Sequence, residues 1–406
     1  MLPAIVLSLY GIAIIYSAGQ TDVPTAALHA WRSQLVWLGV ALLAAYGVSR
    51  WSVRFLEWLA TPLYLFSLFL LLLVLVPGFG SGGGPAASVK AWLTIGGKRI
   101  GQPAEFAKLA TVLMLAKVLS ARREPFGSLF DLWRPLLLVA VPCVLVLLEP
   151  ELGTAIVFVG ILFGMLFWAG VEWRVLVLIA SPVLSLILTA DTRLWGAWFL
   201  LLVALVIWYK PYVLEGVAIV SLNVVMGVIA PLAWERMKPY QQNRLKIFLN
   251  PQADPLAAGY HVIQSQVAIG SGGWLGHGYL LGPQKRLAFL PEQYTDFIFA
   301  VVGEELGFIG VTVALLLFLW LILRMLRVAE RGHGAFASLV AFGLLSNFVV
   351  HVFENVGMTI GLTPVTGIPL PFFSYGGSFM LACWLAIAIL VRISGEGRGN
   401  TPHGDR

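Results

Sequence analysis

Uncharged apolar runs recur from one end of the chain to the other, and they constrain its fold more than any other feature. A helix that crosses a membrane needs about 20 apolar residues, and most of the runs approach this length. Because lipid offers the backbone no hydrogen-bond partner, runs of this kind favour helices. The sequence therefore predicts an all-α, polytopic membrane bundle, formed by residues 1–406 as a single domain.

Twelve runs are candidate spans, so we expect ten to twelve transmembrane helices. They lie at residues 2–18, 33–48, 57–76, 104–121, 135–148, 152–170, 174–190, 193–209, 213–232, 297–323, 335–357 and 373–392. The run at 135–148 is short for a span. The runs at 174–190 and 193–209 could form a tilted pair or a re-entrant hairpin.

Composition excludes a water-soluble enzyme, a disordered chain and a fibrous repeat. Hydrophobic residues make up 59% of the chain and charged residues 11%, whereas soluble proteins carry roughly 25% charged residues. The two cysteines, Cys143 and Cys383, lie inside apolar runs, so neither a disulfide framework nor a cysteine metal site is expected. The net charge of +6 is explained by topology and by contact with membrane lipids, and no nucleic-acid partner is expected.

The basic residues predict that both termini are cytoplasmic. An even number of spans places the termini on one side, and most basic connections then face inward. These inward residues are Arg50, Arg54, Lys117, Arg122, Arg123, Arg134, Arg174, Lys210, Arg324, Arg327, Arg331, Arg392, Arg398 and Arg406. The polar tail at residues 394–406 is accordingly a cytoplasmic tail.

Two outward connections carry cations that topology does not require. The first, at residues 77–103, contains Lys98 and Arg99. The second is a long extracytoplasmic loop at residues 234–295 that contains Arg244. Connections are usually roughly 4–6 residues long, and long ordered loops are usually functional. Apolar residues between the glycines of this loop predict a short interfacial helix near residues 260–269.

Asp254, in the long loop, is the candidate general base. It precedes Pro255, which favours an extended backbone from which the carboxylate projects. Asp-Pro is also common in turns, and the spacing alone favours a turn. The nearby cations shift the balance toward a base, because an anionic leaving group such as a pyrophosphate would need them.

Glu105 and Lys108 are ionisable residues inside a predicted span. They lie three residues apart and therefore on one face of a helix. Intramembrane ionisable residues indicate function, but an internal ion pair that fixes helix packing explains them equally well.

Other polar positions allow weaker hypotheses. Carboxylates near the start of the span at 297–323 could hold Mg²⁺ or Mn²⁺. These carboxylates are Glu292, Asp296, Glu304 and Glu305. For Glu292 and Asp296, capping of the helix N-terminus is the better explanation. His261, His277 and His351 are too scattered for a metal triad.

Two further features lie near the last spans. Glu354 and Asn355 could line a cavity or hydrogen-bond between helices. The segment at 361–378 is rich in proline and glycine, and broken backbone at membrane depth must be buried in protein or line a polar cavity. An outer loop with ordinary turns is the alternative.

Together these motifs resemble the SEDS family (shape, elongation, division and sporulation). The similar segments are KRIGQPAEFAKL at 98–109, ELGTA at 151–155, NPQADPLAAGYHVIQSQVAIGSGGWLGHG at 250–278, LPEQYTDFIFAVVGEELGFIG at 290–310 and PVTGIPLPFFSYGGS at 364–378. They follow the family's order over most of the chain. The chain resembles the elongation members more than the division members.

The resemblance implies a peptidoglycan glycosyltransferase that polymerises lipid II outside the cytoplasmic membrane of a bacterium. It also implies a partner, a class B penicillin-binding protein that cross-links the strands. The family's catalytic aspartate falls on Asp254 and its conserved lysine on Lys108. The chain departs from the family at Ala104 (usually serine), at Glu149 and Glu151 (commonly glutamine and aspartate) and at His261 (frequently glutamine). Family members usually have ten spans.

The expected reaction transfers a growing glycan from a polyprenyl pyrophosphate to a hydroxyl group of lipid II. Asp254 would take the proton, and outer cations would meet the charge of the pyrophosphate. The substrate-binding candidates are Glu105, Lys108, Lys98, Arg99, Arg244 and Gln264. A divalent cation could assist, and no organic cofactor is expected. The alternatives are a lipid II flippase and a scaffold for the cross-linking partner.

Overall fold

The computed structural model describes residues 1–23, 25–82, 91–122, 124, 126, 128–189, 191–209, 211–236, 242, 248, 259–290 and 292–399. Asp254 and Arg244 lie outside the described residues, and so do the end of the tail and much of the first half of the long loop.

Helices occur at all twelve positions that the sequence predicts as spans, and the described part of the long loop adds two. In chain order they are α1 (Leu2–Ala18), α2 (Ala30–Ser49), α3 (Val53–Leu75), α4 (Pro103–Ser120), α5 (Trp133–Leu148), α6 (Leu152–Trp168), α7 (Trp173–Leu188), α8 (Thr192–Tyr209), α9 (Val213–Arg236), α10 (Tyr260–Ser271), α11 (Pro283–Arg286), α12 (Ile298–Glu330), α13 (Ala335–Ile360) and α14 (Gly377–Gly399). Short 3-10 turns at Ala26–His29 and Leu129–Leu132 precede α2 and α5.

Many of the helices have the length and composition of membrane crossings. Within the described ranges, seven are long and apolar enough to span a bilayer: α3, α5 with the turn before it, α8, α9, α12, α13 and α14. Three shorter helices, α1, α6 and α7, are also apolar. The chain is therefore a polytopic, multi-pass membrane protein built on an all-α bundle, as predicted.

One extended core holds most of the bundle together. In this bundle α14 packs on α2, α3 on α4, and α13 on α4, α6 and α12. The helices α7, α8 and α9 pack mainly on one another, around a small separate cluster of Leu178, Leu202 and Ile219. Inside this three-helix unit Ser185 Oγ donates to Asn223 Oδ1 (2.6 Å), so a buried hydrogen bond joins α7 to α9.

A small antiparallel sheet, which the sequence analysis did not anticipate, lies between α3 and α4. Its strands are β1 (Gly80–Ser81), β2 (Trp92–Ile95) and β3 (Lys98–Gly101), in the order β1-β2-β3. Gly96 and Gly97 join β2 to β3 with φ of 60° and 79°. Two consecutive positive φ values suit the tight turn of a hairpin, for which Gly-Gly is a known sequence signal.

The second half of the long loop is fixed against α1 and α12. A helix, α10, is present where the short helix was predicted, and residues 272–286 follow it. Lys285 Nζ donates to Glu305 Oε1 (2.6 Å) and to Ser17 Oγ (3.0 Å), and all three side chains are fully buried. Glycine at position 272 permits the close approach of the loop to α12, because a Cβ there would lie 2.0 Å from the carbonyl oxygen of Gly303.

Gly272→Ala should therefore destabilise the protein, since neither backbone can yield without moving a helix. Overpacking of this kind costs about 1–3 kcal/mol. Gly270→Ala is the matched control, because a Cβ at Gly270 meets nothing within 4 Å. Thermal unfolding of the purified protein in detergent, followed by tryptophan fluorescence, measures both variants. Equal melting temperatures for the two would contradict the docking described here.

Candidate functional site

The start of α4 carries a buried ion pair. Gln102 is the N-cap residue of α4, and Pro103 is the first residue of this helix, where proline costs no hydrogen bond. Lys108 Nζ lies 2.9 Å from Glu105 Oε1. The exposed fraction is 3% for Glu105 and 1% for Lys108, so water screens the pair little. The prediction that the two side chains share one helical face is confirmed.

His351, on α13, completes this cluster. Its Nε2 lies 2.8 Å from Lys108 Nζ, and its Nδ1 lies 3.1 Å from the carbonyl oxygen of Pro369. A carbonyl can only accept, so Nδ1 carries the hydrogen and Nε2 accepts from the ammonium group. His351 is therefore a neutral imidazole that links α4 to the segment after α13. The sequence analysis assigned it no role, because nothing in the sequence places it beside Lys108.

Gln102 joins α4 to two other helices. Its side-chain amide donates to Glu151 Oε1, at the start of α6, and its backbone N–H donates to Ser378 Oγ (3.2 Å), at the start of α14. These three helices meet at one end of the bundle, which we call the site end. Glu151 belongs to the ELGTA segment, one of the segments that resemble the family, but the sequence did not show that its partner is Gln102.

Glu149 and Glu151 are acidic residues in an environment that disfavours charge. Burial and the neighbouring Glu151 raise the pKa of Glu149 to about 9. Burial and Glu105 raise the pKa of Glu151 to about 7, against the opposing effect of Lys108. Both carboxyl oxygens of Glu149 are buried without a hydrogen-bond partner. At neutral pH Glu149 therefore holds a proton.

The proline-rich segment before α14 is non-helical backbone buried in protein, one of the two arrangements that membrane depth allows. Asn355 Nδ2 donates to the carbonyl oxygens of Asp296 and Ile368, each at 2.8 Å. Ser374 Oγ donates to the carbonyl oxygen of Thr295 (2.6 Å). Asn355 thus bonds to the backbone of two non-helical connections, and it fixes the second of them beside His351. The two alternatives for Glu354 and Asn355, a cavity wall and bonding between helices, stay predictions.

Three of the remaining substrate-binding candidates, Lys98, Arg99 and Gln264, lie among the described residues. Lys98 and Arg99 are exposed on β3, which leads directly into Gln102. The Arg99 guanidinium donates to the carbonyl oxygen of Gly82 and lies 6.0 Å from the ring centre of Trp92. Gln264 lies on α10, which packs on α12 and α13, and its Oε1 is buried without a partner.

Two of the four carboxylates suggested for a divalent cation already have partners. Glu304 accepts backbone N–H groups of Gln284 (2.6 Å) and Lys285 (3.2 Å), and Glu305 pairs with Lys285. Across the described residues, no group of three or more His, Cys, Asp or Glu side chains could hold a metal ion. A divalent cation that assists the reaction stays a prediction.

The family model of the FtsW, RodA and SpoVE cell cycle proteins matches residues 1–198 and 192–399. The chain belongs to this family. The family drawn from the sequence motifs, SEDS, is thereby confirmed.

Known SEDS proteins resemble the chain over nearly its whole length. The peptidoglycan glycosyltransferase RodA of Treponema pallidum is 35% identical over 97% of this chain and 96% of its own. The peptidoglycan glycosyltransferase MrdB of Escherichia coli K12 is 37% identical over 81% of this chain and 76% of its own.

Solved structures agree with this relationship. A chain from a structure on the coordination of polymerization and crosslinking by a peptidoglycan synthase complex has a TM-score of 0.72 and 31% identity, covering 98% of this chain and 96% of that one. The crystal structure of the rod shape determining protein RodA of Thermus thermophilus has a TM-score of 0.61 and 26% identity, covering 100% and 96%.

Lys108→Met should destabilise the SEDS bundle strongly, because it leaves the Glu105 carboxylate buried without its cation. Loss of one partner of a buried pair costs about 3–5 kcal/mol. Lys117→Met is the matched control on the same helix, because half-buried Lys117 donates, among the described residues, only to Thr61 Oγ1 (3.0 Å). Unfolding in detergent measures both. Equal destabilisation by the two substitutions would show that the ion pair contributes no more to stability than the contact of Lys117.

Glu149→Gln should change how stability depends on pH. A carboxyl group whose pKa is raised from its ordinary 4.5 to about 9 stabilises the fold at low pH. That contribution declines as the pH rises through this window, by at most about 1.4 kcal/mol per pH unit. The variant should therefore lose less stability than the wild type between pH 6 and pH 9. Exposed Glu330→Gln should keep the wild-type slope, and an unchanged slope in Glu149→Gln would contradict the buried, protonated state.

Proposed function

We propose that the protein is a peptidoglycan glycosyltransferase that polymerises lipid II into glycan strands on the outer face of the cytoplasmic membrane, during cell elongation. One observation supports this above all: motif segments far apart in the sequence meet at the site end. Gln102 contacts Glu151 and Ser378, and His351 joins Lys108 to Pro369. The peptidoglycan glycosyltransferase RodA of Treponema pallidum aligns with the chain across this whole arrangement.

In the proposed reaction an acceptor hydroxyl of lipid II attacks the anomeric carbon of the growing glycan. The new glycosidic bond forms as the bond to the polyprenyl pyrophosphate breaks, and the hydroxyl proton passes to the Asp254 carboxylate. A positioned base contributes about 10²–10⁴-fold to the rate. Direct displacement inverts the configuration at that carbon. The polyprenyl chains stay in lipid, which suits an enzyme whose described part is mostly membrane helix.

The departing pyrophosphate carries the charge that the site must stabilise. We propose that Lys98, Arg99 and Arg244 supply that stabilisation. Lys98 and Arg99 suit this role because they are exposed on a strand that ends at Gln102.

Lys108 is suited to a different task, because it is buried and already pairs with Glu105 and His351. It would position the site, with at most one N–H left for a substrate oxygen. Glu105 and Gln264 would contribute to substrate binding together with Lys108.

The proposal includes a setting and a partner. Both termini would be cytoplasmic, which follows from the distribution of basic residues. The partner would be a class B penicillin-binding protein that cross-links the product. Similarity to a chain from a peptidoglycan synthase complex, with a TM-score of 0.72, supports this partner.

Asp254→Ala should abolish glycan formation from purified, labelled lipid II, because the acceptor hydroxyl loses its base. The matched control is Asp191→Ala, since Asp191 is an exposed aspartate that caps the start of α8. Gel separation of the products measures chain length, and tryptophan fluorescence confirms that each variant is folded.

Three results would contradict the proposal. Full activity in the Asp254→Ala variant would remove the general base. Label that crosses liposomes without glycan ladders would indicate a flippase. Neither ladders nor transport in the wild type, with the partner present, would indicate a scaffold.

A further inference from the structure

A polar cavity lies at the end of the bundle opposite the site end. Its volume is about 790 Å³, and it opens where α4 and α14 approach their ends and where α3 and α13 begin. The charged and polar side chains that line it include Arg54, Glu57, Ser120, His333, Arg392 and Glu396. None of them belongs to the Glu105, Lys108 and His351 cluster, so the proposed reaction leaves this cavity unexplained.

Part of the charge in this cavity is already paired. Arg392 Nη2 lies 2.6 Å from Glu396 Oε1, and the same oxygen accepts the backbone N–H of Val53 (3.1 Å), the first residue of α3. A carboxylate therefore occupies the positive end of α3, as the helix dipole favours. This ion pair leaves Arg54 and Glu57 as the remaining arginine and glutamate of the lining.

Arg54 and Glu57 have no hydrogen-bond or ion-pair partner within the described ranges. They lie three residues apart on α3 and so share one face of the helix. Ala335, Phe336 and Ala337 also line the cavity, and they form the first turn of α13, whose N-cap residue Gly334 offers no side chain. The first N–H groups of a helix need an acceptor from outside it.

These unpaired groups are complementary to a zwitterion. A guanidinium fork and helix N–H groups together suit a phosphate group. A carboxylate close by suits an ammonium group and would repel a purely anionic headgroup. The cavity thus presents separate partners for the two charges of a phosphoethanolamine.

Aromatic side chains beside the cavity indicate that such a ligand comes from the lipid. Phe55 stacks on Trp58, with ring centres 5.7 Å apart, and makes an edge-to-face contact with Trp51 at 5.2 Å. All three side chains are exposed. Tryptophan and other aromatic rings of this kind collect at the membrane–water interface. The mouth of the cavity therefore lies at the depth of lipid headgroups.

We propose that this cavity binds a phospholipid with a phosphoethanolamine headgroup. Arg54 and the first turn of α13 hold the phosphate, and Glu57 holds the ammonium group. The exposed rings of Phe55 and Trp58 contact the start of the acyl chains. This site is separate from the proposed glycosyl transfer and does not depend on it.

Native mass spectrometry of the delipidated, full-length protein in detergent tests the proposal. The probes are phosphatidylethanolamine and phosphatidylglycerol with identical acyl chains. The wild type should prefer phosphatidylethanolamine, and Arg54→Gln should weaken its binding about tenfold, the usual effect of losing one charge-assisted hydrogen bond. Arg327→Gln is the matched control, because Arg327 is exposed near the same end of the bundle but does not line the cavity.

Glu57→Gln separates the two halves of the headgroup. It should reduce the preference for phosphatidylethanolamine over phosphatidylglycerol while phosphate binding persists. Equal binding by the wild type and Arg54→Gln, or an equal loss in Arg327→Gln, would overturn the proposal. Soluble glycerophosphoethanolamine that binds as tightly as the lipid would overturn the assignment to a membrane ligand. Binding of an acidic peptide in place of either lipid would also overturn the assignment to a membrane ligand.

Discussion

The ammonium group of Lys108 is a full charge held away from water, and the arrangement of the site end follows from how that charge is satisfied. An isolated buried charge would cost several kcal/mol. Glu105 supplies the opposite charge from the same helix, and His351 accepts from the ammonium group across the interface with α13. Since His351 also donates to Pro369, the requirements of one side chain fix α4, α13 and the non-helical segment that follows α13.

A network of this kind accounts for how a membrane bundle can hold broken backbone at its site. Residues 361–376 form no helix, so most of their peptide groups need hydrogen-bond partners other than those of a helix. Asn355 binds two carbonyl oxygens there, and Ser374 bridges to Thr295. A surface held in this way suits a reaction that needs a positioned nucleophile and stabilisation of a departing diphosphate.

The sequence predicted the helices and the Glu105–Lys108 pair because both depend on local spacing. The length of an apolar run sets a span, and a separation of three residues sets a helical face. It did not predict His351 beside Lys108, or Gln102 beside Glu151, because those contacts join segments that are 243 and 49 positions apart. The small sheet was missed although Gly96 and Gly97 signalled its turn. Glu304 and Glu305 suggested a cation site, but Lys285 and backbone N–H groups from a distant turn occupy them.

A double-mutant cycle tests the central claim, that the buried pair of Glu105 and Lys108 organises the site end. The free energy of unfolding is measured for the wild type, Glu105→Gln, Lys108→Met and the double variant in one detergent. If the pair acts as a unit, the double variant is less damaged than the sum of the single variants, with a coupling of about 1–3 kcal/mol. Additivity within about 0.5 kcal/mol would contradict the account.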